Sequence, residues 1–363
     1  MSNIPLIIGY ILHAVTLAVT VIVVAVPEGL PMMITLVLSK NMRKMLKDNI
    51  LVRKLLGIET SGSLNILFTD KTGTLTKGKL EVVNFIDGKG KELSAFDLSR
   101  KEKLWEILKL SLFYNNASSI SENNKEVIGG NATDRALLEY IMPYCQHSYN
   151  VKKDKIVPFD SRNKYSITKI SGDHNIWLIK GMPEKIIEAC RYYYDDLGNK
   201  KIMIDRRIVY QQMNKFYEKA IRFIAIATSD REITSDLKAS SLCLVGIIGI
   251  RDEIRPGVID ALSQVKEAGV QVVMMTGDAK ETAIAIAKDI DLLEKDSIVI
   301  TSDELTNISD DRLKAIIPNV RVIARALPSD KSRLVRICQE MNLVVGMTGD
   351  GVNDAPAIKK ADV

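Results

Sequence analysis

Asp70-Lys71-Thr72-Gly73-Thr74-Leu75-Thr76 follows directly on the apolar run Leu64-Asn65-Ile66-Leu67-Phe68-Thr69. The apolar run predicts a buried strand over 64–69, and the residues after it predict a glycine-containing turn. A carboxylate therefore stands at the tip of a strand. Such a group can attack phosphorus, and a phosphoryl-aspartate is a recognised covalent intermediate. A single run of this kind has an ordinary explanation, since Asp often opens turns and caps helices.

The pattern recurs. Val270 to Met275 is a second apolar strand, and Thr276-Gly277-Asp278 ends it. Leu343 to Met347 is a third, and Thr348-Gly349-Asp350-Gly351-Val352-Asn353-Asp354 ends it. Between them, Val320 to Ala326 predicts another strand that leads through Pro328 to Lys331. Ligands of an open parallel sheet bind outside the carboxyl ends of its strands. Asp70, Thr276, Asp278, Asp350 and Asp354 are thus expected at one edge. Carboxylates gathered there repel one another unless a cation joins them. Mg²⁺, which takes oxygen ligands and commonly shares them with phosphate, suits that place.

Length and charge narrow the field. A chain of 363 residues is long enough for two domains or more. The formal net charge of +5 is modest, and no arginine-rich arm or aromatic-basic stripe suggests nucleic acid. Cys145, Cys190, Cys243 and Cys338 are far apart and make no metal-binding spacing, which fits core residues in a reducing compartment.

The hydrophobicity is unevenly spread. Ile4 to Leu38 holds one acid and no Lys or Arg. Val15 to Leu38 would form a helix of about 36 Å, enough to cross a bilayer with some tilt. Pro5 and Gly9 suggest that Ile4 to Leu12 is an approach segment or the end of a preceding helix. Lys40, Arg43, Lys44, Lys47, Arg53 and Lys54 follow, which puts the carboxyl side in the cytoplasm. Inside the span, Pro27-Glu28-Gly29-Leu30-Pro31 leaves the carbonyls of Val23 and Pro27 without helical donors. Broken backbone at membrane depth is tolerated where it lines a cavity. A carboxylate beside freed carbonyls is an oxygen-rich set for a hard cation.

About 165 residues lie between Leu80 and Val245, far too many for one crossover connection. They are expected to form an inserted α+β domain. Helices are predicted over Lys101–Phe113, Asp134–Met142, Glu184–Tyr193 and Tyr210–Ala220, and strands over Lys79–Ile86, Tyr165–Ile170, Ile176–Ile179 and Phe223–Thr228.

Taken in order, Asp-Lys-Thr-Gly-Thr, Thr-Gly-Asp and Gly-Asp-Gly-Val-Asn-Asp resemble the signature of P-type ATPases on a haloacid-dehalogenase-like core. The resemblance implies an α/β fold: a Rossmann phosphorylation domain (63–80 and 245–363) with an inserted α+β nucleotide-binding domain (81–244). A transmembrane segment (1–40) and a cytoplasmic stalk (41–62) would precede it. Pro-Glu-Gly-Leu-Pro resembles the fourth transmembrane helix of calcium-transporting members. By that likeness Glu28 and the main-chain oxygens of Val23, Val24 and Val26 would bind the transported cation. In the insert, Val157-Pro158-Phe159-Asp160-Ser161 resembles the stretch whose Phe stacks on adenine. Lys164, Lys180 and Gly181 would line the ATP pocket, and Arg222 would reach the phosphates. Gly130-Asn131-Ala132-Thr133-Asp134 matches a motif that usually has Glu where Asp134 stands. Arg251-Asp252-Glu253-Ile254-Arg255-Pro256 resembles the hinge back into the sheet domain, without its first proline.

The mechanism implied is an in-line attack of Asp70 on the γ-phosphate of ATP. Mg²⁺ would be held by Asp70, the Thr72 carbonyl and Asp350, with Asp354 and Asn353 supporting metal and phosphate. Lys331, Thr276 and the Gly277 amide would pair with the phosphoryl oxygens. Lys71 and Thr74 would orient the nucleotide, and Asp278 and Arg325 would complete its side of the site. No Thr-Gly-Glu run is present. The likeness therefore implies a fragment covering the middle of a pump, whose partners are the bilayer, an actuator domain and further transmembrane helices. Its last strand would have an uncovered edge. Two other functions remain: a soluble phosphatase of the same superfamily, and a non-catalytic ATP-binding module. The first needs a general acid where Thr72 stands. The residues alone do not choose among Ca²⁺, Na⁺, Mn²⁺ and Mg²⁺ as cargo, and the resemblance points to Ca²⁺.

Overall fold

The computed structural model describes residues 3–25, 29–121, 126–144, 150–217, 219–234, 237–349 and 354–363. Two large sheets organise it, with a two-stranded ribbon, Ser118–Ile120 against Val127–Gly129, beside them.

The smaller sheet has five strands in the order Ile298–Thr301, Val320–Ala324, Gln271–Met275, Ile66–Asp70, Val345–Thr348. Every pairing in it is parallel. Asp70 stands opposite Met275, and Thr69 opposite Thr348. Val273 and Met275 pack into one apolar cluster, with Phe68 and Leu334, and Val272 and Met274 into another, with Ile286 and Val322. Burial on both faces explains why these strands read as unbroken apolar runs rather than alternating ones. From Ile66–Asp70 the chain goes to one side of the sheet for three strands and returns on the other side with Val345–Thr348. Asp70 therefore ends the strand at which the order reverses, the place where such sheets bind ligands. The outer edge of Val345–Thr348 is not bare. Asp362 and Val363 donate to the Val345 carbonyl, and Met347 donates to that of Val363.

The larger sheet has nine strands and is mainly antiparallel. Two long strands tie it to the smaller one. Thr76–Ile86 starts at the end of the turn after Asp70, and Leu242–Ile254 leads back. They pair from Ile247↔Ile86 to Ile254↔Thr76, with register shifts at Gly249/Ile250 and Asp252/Ile254. Gly246 to Ile250, expected beyond the boundary at 244/245, pairs within this larger sheet. Arg251 to Ile254, expected as a connecting hinge, extends the same strand.

Two local expectations are corrected. The helix predicted over Glu184–Tyr193 runs only from Pro183 to Ala189, and Cys190–Tyr194 is a strand beside Leu242–Leu244. Three consecutive tyrosines favour a pleated surface over a helix. At the N-terminus one helix spans Ile4–Ala25 without a break at Gly9. Pro5 lies in its first turn, where the missing N–H has no helical acceptor to lose. A second helix covers Gly29–Lys47. Neither helix buries a residue, and the stretch Ile4–Lys47 is long and apolar enough to cross a membrane. Thr16 and Thr20 return their hydroxyls to the carbonyls of Leu12 and Thr16, so neither hydroxyl needs a donor or acceptor from outside the helix.

Candidate active site

Asp70, Lys331 and Asp354 form the centre of the strand-tip edge. Lys331 lies in the first turn of the helix Pro328–Glu340. That turn is fixed by Asp330, whose carboxylate accepts from the Leu327 amide (2.9 Å) and the Ser302 hydroxyl (2.6 Å). The Lys331 ammonium then reaches Asp70 Oδ1 at 2.8 Å and Asp354 Oδ1 at 2.5 Å. Burial alone would lower its pKa. The hydrogen bonds to Asp354 and Asp70 outweigh that and hold it above the ordinary lysine value. Gly349 makes room for this arrangement: a Cβ there would stand 2.4 Å from Asp354 Oδ2.

A second set of charges flanks the first. Lys71 is buried and donates to Asp278 Oδ2 at 2.7 Å, with Asp252 Oδ2 at 3.9 Å. Asp252 also accepts from the Thr76 hydroxyl (2.6 Å) and the Gly78 amide (2.9 Å). Thr276 is buried at its strand end, and its hydroxyl accepts from the Asp278 amide at 3.1 Å. Gly277 is exposed beside it. Arg325, with φ +52°, is exposed, and its amide donates to the Asp278 carbonyl. Thr72 and Thr74 lie in the turn after Asp70, the first exposed and the second half-buried.

Across the gap, the larger sheet carries a cleft of about 770 Å³ lined by Phe159, Lys164, Lys180, Gly181 and Arg222 among others. Phe159 is 57% exposed there. Lys180 is buried and donates to Asp134 Oδ1 at 2.5 Å, while Asp134 Oδ2 accepts the Ala117 amide at 3.1 Å. Burial pulls the Lys180 pKa down, and Asp134 partly offsets that. Both Asp134 oxygens thus have partners within the protein. A smaller cleft of about 280 Å³ shares Arg222, Leu80 and Ala132 with the first and ends on Lys71, Thr72 and Asp278. Arg222 Nη2 stands 3.9 Å from Asp278 Oδ1.

The structure thus gathers Asp70, Lys71, Thr276, Asp278, Lys331 and Asp354 at the strand tips, and Phe159, Lys164, Lys180, Gly181 and Arg222 in the adjoining cleft. Asp350, Asn353, Val26 and Glu28 lie outside the described residues. Val23 and Val24 are exposed on the N-terminal helix. Sequence reasoning gave Asp252 a hinge role only and missed its hold on the turn after Asp70. It gave Ser302 no role and read Asp330 only as part of a helix start. The one signal for Asp330 is its place as the third residue of the helix that Pro328 opens. Among the described residues no group of three or more His, Cys, Asp or Glu side chains is set to hold a metal. The oxygens of Asp70 and Asp354, with the Thr72 carbonyl nearby in sequence, are nevertheless hard donors of the kind Mg²⁺ prefers.

A family model described as P-type ATPase, cytoplasmic domain N, matches residues 103–257. A probable plasma-membrane-type calcium-transporting ATPase 6 of Oryza sativa subsp. japonica is 39% identical over 97% of the chain and 36% of its own length. The putative plasma-membrane-type calcium-transporting ATPase 11 of Arabidopsis thaliana is 36% identical over 96% of the chain and 35% of its own length. Over nearly its whole length the chain is similar to calcium-transporting P-type ATPases. A bacterial relative, calcium-transporting ATPase 1 of Lactococcus lactis subsp. lactis (strain IL1403), is 35% identical over 97% of the chain and 41% of its own length. The chain thus spans between 35% and 41% of the length of these three relatives. In this chain the domain N match covers most of the nine-stranded sheet and ends at Gly257, three residues after the linking strand.

Proposed function

We propose that this chain is the ATP-consuming part of a cation pump, in which Asp70 accepts the γ-phosphoryl group of ATP and Ca²⁺ is the cargo. What supports this most is the position of Asp70 at the switch point of a parallel sheet, held by Lys331 and next in sequence to Lys71, on which the second of two adjoining clefts ends.

In this proposal the base lies against Phe159, whose exposed ring offers a stacking face. Lys164, Lys180 and Arg222 receive the phosphates. The γ-phosphate passes Arg222 and Lys71 to reach Asp70. A carboxylate oxygen of Asp70 attacks phosphorus, the bond to the β–γ bridging oxygen breaks, and ADP leaves with that electron pair. Lys331 neutralises charge on the phosphoryl oxygens, and the Thr276 hydroxyl and Gly277 amide donate to them. Asp70 and Asp354, with the Thr72 carbonyl and Asp350, would hold Mg²⁺, which when bound offsets charge on the transferring group. The fold in this proposal is haloacid-dehalogenase-like, with the five-stranded sheet as phosphorylation domain and the nine-stranded sheet as nucleotide-binding domain. The N-terminal helices sit in the bilayer, with Glu28 and the carbonyls of Val23, Val24 and Val26 on the cation path.

The test is acid-stable, hydroxylamine-sensitive labelling from γ-³²P-ATP with Mg²⁺, comparing the chain with Asp70→Asn. Label in the parent and none in the variant is expected. Absence of label in folded, ATP-binding parent protein would leave a nucleotide-binding module instead.

A further inference from the structure

Arg251 lies on the strand that links the two sheets, next to Asp252. Its side chain is only 17% exposed and makes three contacts that diverge. Nε donates to Glu253 at 3.1 Å on its own strand. Nη1 donates both to the Lys219 carbonyl at 3.2 Å and to Asp289 Oδ2 at 2.8 Å. Lys219 lies three residues before Arg222, the cleft arginine that opens the strand Arg222–Ser229. Asp289 is the last residue of the helix Lys280–Asp289, which begins two residues after Asp278. One nitrogen therefore binds the segment that carries Arg222 to the helix that follows Asp278. Arg222 and Asp278 face each other at 3.9 Å across the gap between the sheets.

The linking ladder itself is poorly suited to hold that gap. It has register shifts at Gly249/Ile250 and at Asp252/Ile254, on either side of Arg251. A bulged two-stranded connection bends more easily than a regular one. The carboxylate of Asp289 also needs a cation, and its helix end already carries the negative end of the helix dipole. The guanidinium supplies two directed donors from one rigid group, which a lysine could not do in the same geometry.

The geometry points to Arg251 as a positioning residue: a clasp that sets how closely the nucleotide cleft approaches Asp70. This rests on the phosphoryl-transfer function proposed above and adds to it the part that brings γ-phosphate and acceptor together. Arg251 lines neither of the two clefts. Its loss should act on the rate of transfer and not on the binding of the base.

Two measurements on the full chain in lipid nanodiscs test this. The first is pulsed electron double resonance between spin labels at Asn199→Cys and Lys295→Cys, exposed positions in the turns that lead into Lys200–Ile202 of the larger sheet and Ile298–Thr301 of the smaller, in a Cys145→Ser background. Cys190, Cys243 and Cys338 are buried and leave the labelling clean. Arg251→Leu and Asp289→Asn should each broaden the distance distribution, and the double variant should broaden it no further. The second is rapid-quench phosphoenzyme formation. Each variant should slow it about tenfold, since small misplacements of reacting groups are costly, with affinity for a non-hydrolysable ATP analogue within about twofold. The double variant should again match the singles, as expected for one shared contact. Unchanged distance distributions would overturn the clasp whether or not the chain phosphorylates. Equal loss of nucleotide affinity and rate would overturn the positioning role. Absence of label in the parent would count against phosphoryl transfer, and the distances would still decide whether Arg251 holds the two sheets together.

Discussion

Lys331 and Asp70 are 261 positions apart in the sequence and meet at 2.8 Å. The same ammonium holds Asp354, so one cation balances two carboxylates in a site that is nearly closed to water. Removing it leaves the two acids facing each other and removes the donor that a developing phosphoryl charge would use. Lys331→Gln should therefore lower the rate of phosphoenzyme formation by roughly a hundredfold or more. Rapid-quench labelling reads this directly. The charge should also be insensitive to pH near neutrality. Its pKa lies above the ordinary 10.5 in the folded state, so its contribution to stability is full below that value and is lost only as pH rises through the folded pKa. A rate profile with an inflection between pH 6 and 9 that disappears in Lys331→Gln would contradict the assignment.

Phe159 tests the cleft without disturbing the fold. It is 57% exposed and belongs to no buried cluster. Phe159→Ala should leave thermal stability unchanged. Affinity for a fluorescent ATP analogue should fall about tenfold, the usual worth of one aromatic platform under a base. A loss of the same size for inorganic triphosphate would show that the ring does not meet the base.

The strand tips were legible in the sequence because a parallel sheet buried on both faces leaves long apolar runs, and each run stops where the chain turns out to solvent. Leu64–Thr69, Val270–Met275 and Leu343–Met347 each came within two or three residues of the observed strand. The larger sheet was less legible. Cys190–Tyr194 follows a helix without a turn residue between, and it is a strand through its ladders with Leu242–Leu244 and Lys200–Ile202. Leu242–Ile254 serves both the larger sheet and the link, so no local break marks where one ends. Asp252 and Arg251 gain their roles from partners at Thr76, Gly78, Lys219 and Asp289, which no spacing in the sequence announces.

Asp134 and Lys180 form a buried pair whose removal should be read in the larger sheet. Lys180 already has a lowered pKa, through burial first and against the opposing effect of Asp134. Asp134→Asn leaves that ammonium buried without its counter-charge and should cost about 3 kcal/mol. Hydrogen exchange along Ile176–Gly181 should accelerate accordingly. Lys180 should also lose its proton at lower pH, and an amine-selective reagent should modify it faster at neutral pH. Unchanged exchange in that strand would mean that water replaces the carboxylate at no cost.

Gly181 shows where the cleft has no slack. A Cβ at this position would stand 2.3 Å from the Lys164 carbonyl oxygen and 2.6 Å from the Tyr165 Cα, both backbone atoms of the neighbouring strand end. Neither can rotate away. Gly181→Ala must therefore push apart the strands that carry Lys164 and Lys180, and overpacking of this kind costs about 1–3 kcal/mol. Thermal stability should fall by that amount, and nucleotide affinity should fall with it because both lysines move. Gly277→Ala is the control for stability, since no atom lies within 4 Å of a Cβ there. If Gly181→Ala were as stable as Gly277→Ala, the two strands would have to be less tightly apposed than their hydrogen bond from Met182 to Lys164, at 2.9 Å, requires.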